Sequence, residues 1–387
     1  MLDLKQIARK RSIDIIVPEF NELSRQGERF DEQVAYLSHI SGTHETFLVD
    51  DASTDGSWER MVELSPGTNP QLHLIRMKEN GHKVLAIKQV LQRCKSNYVL
   101  LSDFDSIVTT PDKLTHALRR FEKEPRLASV ALRLVPEGSS IFSKLQDLEY
   151  AIGRKVFGGY LVPQGKLRCV PGAAGIWRRE ILKEVLDEHS GRHNGDDLES
   201  TAIAMRKGYR IDYEPSIQVQ TMVPQNARDF FKQRKRWALG SLETYDKERR
   251  FYRGQIRNIR SRLGHLTLFD FYGWFAALFS PLFIANAFLN HFMFGVSLSL
   301  GLAMTSAMCY VSRNEIKDKK ELALIPFFPI YIFLATMPLV AALYEFVGAR
   351  KSHSKSLPSL QVKGLLTIDS ASAPAIAALQ RSASRIS

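Results

Sequence analysis

At 387 residues the chain can hold one large α/β domain and something more, and its 44% hydrophobic content is ordinary for a globular protein. The formal net charge of +12 would suit nucleic acid, but Lys247, Arg249, Arg250, Arg253, Arg257, Arg260 and Arg262 sit just before a long apolar stretch. That placement favours the cytoplasmic face of an anionic bilayer and argues against a nucleic-acid groove. Cys94, Cys169 and Cys309 show neither metal spacing nor a disulfide framework, and Met1 to Arg11 reads as polar, without the apolar core of a signal peptide.

Ile13 to Val17 reads as a first strand ending at Pro18, whose missing N–H stops ladder bonding, and Glu19-Phe-Asn21-Glu22 as a polar loop. Phe30, Val34, Leu37 and Ile40 then share one helical face. A second strand, Thr46 to Val49, runs into Asp50-Asp51-Ala-Ser53-Thr-Asp55-Gly56-Ser57, where Asp55 or Ser57 is placed to cap a helix starting near Trp58. Leu72 to Ile75 is a third strand. Asn80-Gly81-His82-Lys83 follows and opens a helix from Val84 to Cys94; a lysine at a helix N-terminus is unfavourable unless an anion is bound there. Tyr98 to Leu101 is a buried strand running into Ser102-Asp103-Phe-Asp105. Two carboxylates so close together call for a cation, a set of hydrogen-bond donors or open solvent.

Successive strand–helix units, each with polar residues at the strand's C-terminal end, argue an α/β fold with a mainly parallel sheet and a site along that edge. No Gly-x-Gly-x-x-Gly follows the first strand and no Walker lysine motif occurs, so dinucleotide enzymes and P-loop kinases are poorly supported. An acidic edge that recruits a divalent metal, and through it a diphosphate, suits a nucleotide-sugar donor.

Val17-Pro18-Glu19-Phe20-Asn21-Glu22, Asp50 to Gly56, Asn80 to Lys83 and Asp103-Phe-Asp105 come in an order that resembles the donor-site motifs of family 2 inverting glycosyltransferases, whose nucleotide-sugar-binding domain is of GT-A type. The resemblance implies that Asp51 accepts from the uracil N–H, that Asp103 lies by the ribose and diphosphate, and that Asp105 holds Mn²⁺ or Mg²⁺. It also places Pro18, Glu22 and Lys83 with the donor.

Farther along, Phe142, Leu145, Leu148, Ile152 and Val156 recur at helical intervals between Ser139 and Phe157, a pattern that suits a core-facing helix better than a membrane-surface one. Pro171-Gly172-Ala-Ala-Gly175-Ile-Trp177 lets backbone approach a ligand closely and resembles the family's acceptor-binding segment, with Gly172 and Gly175 as its small residues. Gly195-Asp196-Asp197 opens a helix to about Lys207; the helix dipole alone explains acids there, while in the family's membrane-bound polymer synthases the position of Asp197 is the catalytic base. Gln233-Arg234-Lys235-Arg236-Trp237 is similar to the Gln-x-x-Arg-Trp signature of cellulose, chitin, hyaluronan and poly-N-acetylglucosamine synthases, which single-sugar dolichol-phosphate mannose synthases lack. Gln233 and Arg236 then belong with the diphosphate, which guanidinium grips in bidentate fashion, and Trp237 with the acceptor sugar.

Leu266 to Leu289, Met293 to Val311 and Leu322 to Val347 are each long enough to span about 30 Å of hydrocarbon. The basic loop Arg313 to Lys320 matches the cytoplasmic side if the first two segments form a hairpin. Three spans would put Arg350, Lys351 and Lys355 outside, so one segment is expected to be interfacial or re-entrant; Asp270, Pro281, Pro326, Pro329 and Pro338 are candidate reasons. No apolar segment reads before the catalytic part, so an export channel would call on an additional membrane subunit. Ser352 to Ser387 reads as a loose tail in which Ala373 to Leu379 could form a short helix.

The expectation is therefore a cytoplasmic glycosyltransferase domain over residues 1–262, a multi-pass transmembrane region over 263–349 and a tail over 350–387. The resemblance implies transfer from a UDP-sugar to a saccharide acceptor in polysaccharide synthesis at the cell membrane. Single transfer to a lipid-linked or protein acceptor is the alternative within enzymes. An inactive nucleotide-sugar-binding scaffold is the alternative outside them, and the intact Asp51, Asp103, Asp105 and Asp197 argue against it.

Overall fold

The computed structural model describes residues 12–42, 44–191, 194–279, 291–352 and 365–368. Met1 to Arg11, the end of the first apolar segment and the expected helix at Ala373 to Leu379 lie outside the described residues.

Four short apolar runs form the parallel strands β1 (Ile13–Glu19), β2 (Thr46–Asp50), β3 (Leu72–Met77) and β4 (Tyr98–Leu101). Helices α1 (Glu22–Gln26), α2 (Arg29–Ile40), α3 (Ser57–Leu64) and α4 (His82–Leu91) connect them. The chain continues through β5 (Ser106–Val108), α5 (Leu114–Lys123), β6 (Leu127–Glu137), α6 (Ile141–Ile152), β7 (Gly175–Arg178), α7 (Arg179–Glu188), α8 (Asp196–Arg206) and β8 (Arg210–Met222). Helices α9 (Ala227–Lys247), α10 (Arg249–Arg257), α11 (Arg262–Leu278), α12 (His291–Ser312), α13 (Phe328–Thr336) and α14 (Pro338–Ser352) follow, then β9 (Leu365–Ile368).

The strand order is β5-β8-β6-β7-β4-β1-β2-β3-β9. Strands β5, β7 and β9 run against the other strands, so the sheet is mixed and mostly parallel, with β3-β2-β1-β4 its wholly parallel half. Alternation along each strand builds a core on both faces. Ile16, Val49 and Val99 pack with α4 and α7 on one side; Ile15, Val17, Leu48 and Leu100 pack with α2 and α5 on the other.

Strand β1 does not stop at Pro18, because Pro18 and Glu19 stand opposite Val49 and Asp50 of β2. Ile16 accepts from Ser102 N on the β4 side and Glu19 accepts from Asp51 N on the β2 side, so Pro18 faces β4 where that strand has already ended. No ladder partner is lost there, and the proline costs nothing. Strand β9 falls in the segment expected to be a loose tail and pairs antiparallel with β3.

The amphipathic helix near residue 145 is core-facing: Leu145, Leu148 and Ile152 of α6 pack with Phe230 of α9, Cys309 of α12, and Phe328 and Tyr331 of α13. Among the described residues one helical stretch, Lys319–Ala349, is long and apolar enough to cross a membrane. Helices α11 and α12 occupy the other two expected segments, and Phe269, Tyr272 and Phe275 of α11 stand exposed, as do Ile330, Val340 and Tyr344 of α13 and α14. The loop from Arg313 to Lys320, expected on the cytoplasmic side, is docked on the α/β domain. Glu315 O accepts from Arg133 Nη2 at 2.7 Å and Arg154 Nη2 at 3.0 Å, and Lys317 N donates to Asp147 Oδ2 at 2.6 Å.

At the carboxyl edge of the β1–β2 pair, Glu19 and Asp50 are cross-strand neighbours, 3% and 0% exposed. Two buried carboxylates cannot both ionise, and burial followed by the Asp50 contact pushes Glu19 up to about 10. Folded Glu19 therefore keeps a proton that the unfolded chain releases in the ordinary carboxylate range, so stability is greatest at low pH and declines as pH rises toward 10. Glu19→Gln preserves a donor toward Asp50 and removes the titration. Melting temperature followed from pH 5 to 9 should show a gain over wild type that grows with pH, at a limit of about 1.4 kcal/mol per pH unit; parallel profiles for the two proteins would mean that Glu19 is ionised in the fold.

Candidate active site

The carboxyl ends of β1, β2 and β4 open on the same edge, and the loops leaving them carry the acidic motifs. Asp51 leaves β2 and is 3% exposed, with Oδ1 accepting from Gly81 N at 2.7 Å and its carbonyl accepting from Asn80 Nδ2 at 3.2 Å. Burial pushes its carboxyl up to about 6, against the opposing pull of the Gly81 N–H. Asp55 works as a double cap: Oδ1 accepts from Ser57 N at 3.0 Å at the start of α3, and Oδ2 accepts from Ser24 N at 2.8 Å in α1.

Lys83, in the first turn of α4, is ion-paired with Asp103 beyond β4. Burial alone would lower its pKa, but Asp103, Asp196 and Asp197 together raise it above the ordinary lysine range. The unfavourable lysine at a helix N-terminus is thus answered by carboxylates from two other elements. Gly172 is the floor of this cluster, because a Cβ there would stand 2.7 Å from Lys83 Nζ and 3.6 Å from Asp197 Cβ. Asp197, in the first turn of α8, has Oδ1 accepting from Leu198 N at 2.8 Å and Oδ2 accepting from Gly172 N at 3.3 Å. Its neighbour Asp196, which the sequence reading left without a role, is pushed up to about 6 by burial, which outweighs the pull of Lys83.

Asp105 stands just before β5, and its Oδ1 accepts from the hydroxyls of Ser106 at 3.1 Å and of Thr221 on β8 at 3.3 Å. Burial, then the charges of Asp103 and Glu22, push it up to about 7. A proton or a cation is what such a buried carboxylate calls for. Among the described residues no three His, Cys, Asp or Glu side chains converge into a ready metal cage. Asp103 and Asp105 nonetheless fit Mn²⁺ or Mg²⁺, which take hard oxygen donors and commonly bind through one or two carboxylates plus phosphate oxygens and water.

Other expected residues stand outside this cluster. Pro18 is half-buried within β1. Glu22 is the exception, because its charge acts on Asp105 even though its side-chain hydrogen bonds, from Arg25 Nη1 at 2.9 Å and Gln26 Nε2 at 3.1 Å, stay within α1. Gly175 opens β7 opposite Leu101. Gln233 accepts from Gln146 Nε2 of α6 at 3.2 Å. Arg236 and Trp237 are exposed on α9, and Arg236 has no ion pair among the described residues. What brings α9 to the site is Gly240, one turn beyond Arg236 on the same helical face. A Cβ there would meet the Asn194 carbonyl oxygen at 2.3 Å and Gly195 Cα at 2.7 Å, so α9 lies directly on the backbone that leads into Asp196 and Asp197.

Residues 14–186 match the family model for Glycosyl transferase family 2. The chain is 25% identical over 235 residues to an N-acetylglucosaminyltransferase of Mesorhizobium japonicum, which covers 59% of this chain and 55% of that protein. It is 26% identical over 200 residues to the poly-beta-1,6-N-acetyl-D-glucosamine synthase of Staphylococcus aureus, covering 51% of this chain and 48% of that one. The chain therefore spans about half the length of the curated relatives it matches. Among solved structures it is similar to a mannosyltransferase from Pyrobaculum calidifontis in complex with GDP-Man and Mn²⁺, with a TM-score of 0.52, 18% identity and 88% of each chain covered. That likeness identifies the architecture as a GT-A-like α/β fold. The segment that matches glycosyl transferase family 2 carries β1 to β7 together with Asp51, Asp103 and Asp105.

Proposed function

We propose that this glycosyltransferase is an inverting, metal-dependent, membrane-anchored enzyme that passes a sugar from a UDP-sugar to a saccharide acceptor in polysaccharide synthesis. The observation that carries the proposal is the meeting of Asp103, Lys83, Gly172 and Asp197 at one sheet edge, with the helix of Arg236 and Trp237 seated on Gly195. Both curated relatives carry N-acetylglucosamine in their names, so UDP-N-acetylglucosamine is the first donor to test.

In this reading the acceptor hydroxyl oxygen bonds to the anomeric carbon as the bond from that carbon to the diphosphate breaks, inverting its configuration. Asp197 takes the hydroxyl proton, its carboxylate aimed by the Leu198 and Gly172 N–H groups. Lys83 and Arg236 meet the charge of the leaving diphosphate. Asp105, with Asp103 beside it, would hold a divalent metal, whose charge would offset that of the diphosphate. Asp51 accepts from the uracil N–H, while Pro18, Glu22 and Gln233 complete the donor side and Gly172, Gly175 and Trp237 the acceptor side. The apolar helices hold the catalytic domain at the cytoplasmic face of the cell membrane, a placement supported by the docking of the basic Arg313 to Lys320 loop on that domain. An additional membrane subunit would complete any export path.

Asp197→Asn should leave UDP affinity within about twofold of wild type and lower turnover by roughly 10² to 10⁴-fold, the usual contribution of a general base. UDP release and UDP titration on the same preparation measure both quantities, and a matching loss of UDP affinity would move Asp197 to the donor site. Asp105→Asn should abolish the response of turnover to a Mn²⁺ titration, since the amide loses the charge that holds the cation; an unaltered titration curve would assign the metal elsewhere. Affinity for UDP-N-acetylglucosamine should fall as pH drops through about 6, because a protonated Asp51 no longer offers a carboxylate to the base. Asp51→Asn should flatten that dependence, and an equally steep fall in the variant would excuse Asp51. Chain length of the product separates polymerisation from single transfer: one added sugar under excess donor would leave only the single-transfer reading.

A further inference from the structure

Arg234 falls between the signature positions of its own motif, yet it is the buried member of the run, 6% exposed. Glu149 of α6 takes both of its terminal nitrogens, Nη1 donating to Oε1 at 2.7 Å and Nη2 to Oε2 at 2.6 Å. Nη2 also donates to the Tyr331 hydroxyl of α13 at 2.8 Å. Two parallel charge-assisted hydrogen bonds leave a guanidinium little freedom to rotate. Its carbon lies 4.4 Å from the centre of the Trp237 ring and 4.8 Å from that of Phe230. One face of the indole therefore rests on a held cation, while Trp237 as a whole stays 36% exposed.

We infer that Arg234, clamped by Glu149, is a positioning residue that fixes the plane of the Trp237 indole so that its open face meets the incoming acceptor sugar. The inference rests on the reading of Trp237 as the acceptor platform. A tie between helices is a poor explanation by itself, because apolar side chains of similar volume commonly join helices at least as well as a buried ion pair does. The pair here has a second property that apolar residues lack: it holds a cation in place 4.4 Å from the centre of an exposed aromatic ring. Lysine keeps the charge but can neither fork onto both Glu149 oxygens nor lie flat against the indole.

The test is the full chain in lipid, with UDP-N-acetylglucosamine as donor and a short N-acetylglucosamine oligosaccharide as acceptor, comparing Arg234→Lys, Glu149→Gln, Trp237→Ala and the Arg234→Lys/Trp237→Ala double variant. Arg234→Lys should raise the acceptor KM by about tenfold while moving the donor KM much less, and Glu149→Gln should raise it by a smaller factor. Trp237→Ala should raise it at least as far, and Arg234→Lys should add nothing in the Trp237→Ala background, because a residue that acts through the indole has nothing to act on once it is gone. The inference is overturned if Arg234→Lys raises both KM values together, if it lowers only kcat and melting temperature, or if its effect persists in full alongside Trp237→Ala. Should Trp237→Ala leave the acceptor KM at its wild-type value, the platform reading falls and takes this one with it. Glu149→Gln keeps the question answerable if Arg234→Lys fails to fold.

Discussion

Three aspartates from two parts of the chain face one another across the carboxyl edge of this sheet, and Lys83 is the cation that lets them do so. Asp103 arrives at the end of β4, Asp196 and Asp197 in the first turn of α8, and the lysine reaches them from the first turn of α4. Without it the largest offset would be lost to the burial of Asp196 and the charges of Asp197 and Asp103, which all push the Asp196 carboxyl up. The positions around the lysine follow from this constraint: a side chain at residue 172 would displace the Lys83 ammonium, and α8 begins with backbone close enough for the Gly172 N–H to reach Asp197.

The parallel half of the sheet was legible from the sequence because β2, β3 and β4 are short runs of buried apolar residues that end in polar loops. Pro18 misled the reading of β1, since a proline matters to a ladder only on the side where a partner strand continues. Strands β6 and β8 went unassigned. They carry charged residues such as Arg133, Arg210, Asp212 and Glu214, their register shifts near Leu132, and Pro215 interrupts β8, although Ile217, Val219 and Thr221 do keep the period of two.

The acidic members of the site could be picked out because their spacing after each strand is local. The partners that hold them could not. Thr221 reaches Asp105 across 116 residues and Glu149 reaches Arg234 across 85, and no pattern within a motif announces a neighbour that far away. Arg234 left one trace, its aromatic neighbours Phe230 and Trp237 at helical spacing, and that trace is as well explained by ordinary packing. The apolar region after α10 shows the opposite balance. Hydropathy marks its length, while its contacts with the catalytic domain through Glu315, Lys317 and Tyr331 appear only in three dimensions.

The docked loop at Glu315 bears on the order in which the protein is made. Arg133 and Arg154 leave the ribosome long before the carbonyl oxygen that receives them, and the apolar face of α6 waits for Phe328 and Tyr331 to cover it. Until those residues follow, the nascent α/β domain holds Arg133 without its acceptor, Arg154 with the Leu134 carbonyl alone, and an uncovered hydrophobic stripe. A chain stopped after Lys247 would remain in that condition permanently. The helices that look from their hydropathy like a tether are in this respect a late-arriving wall of the enzyme, and a soluble fragment cut at the end of α9 would be an unfinished protein.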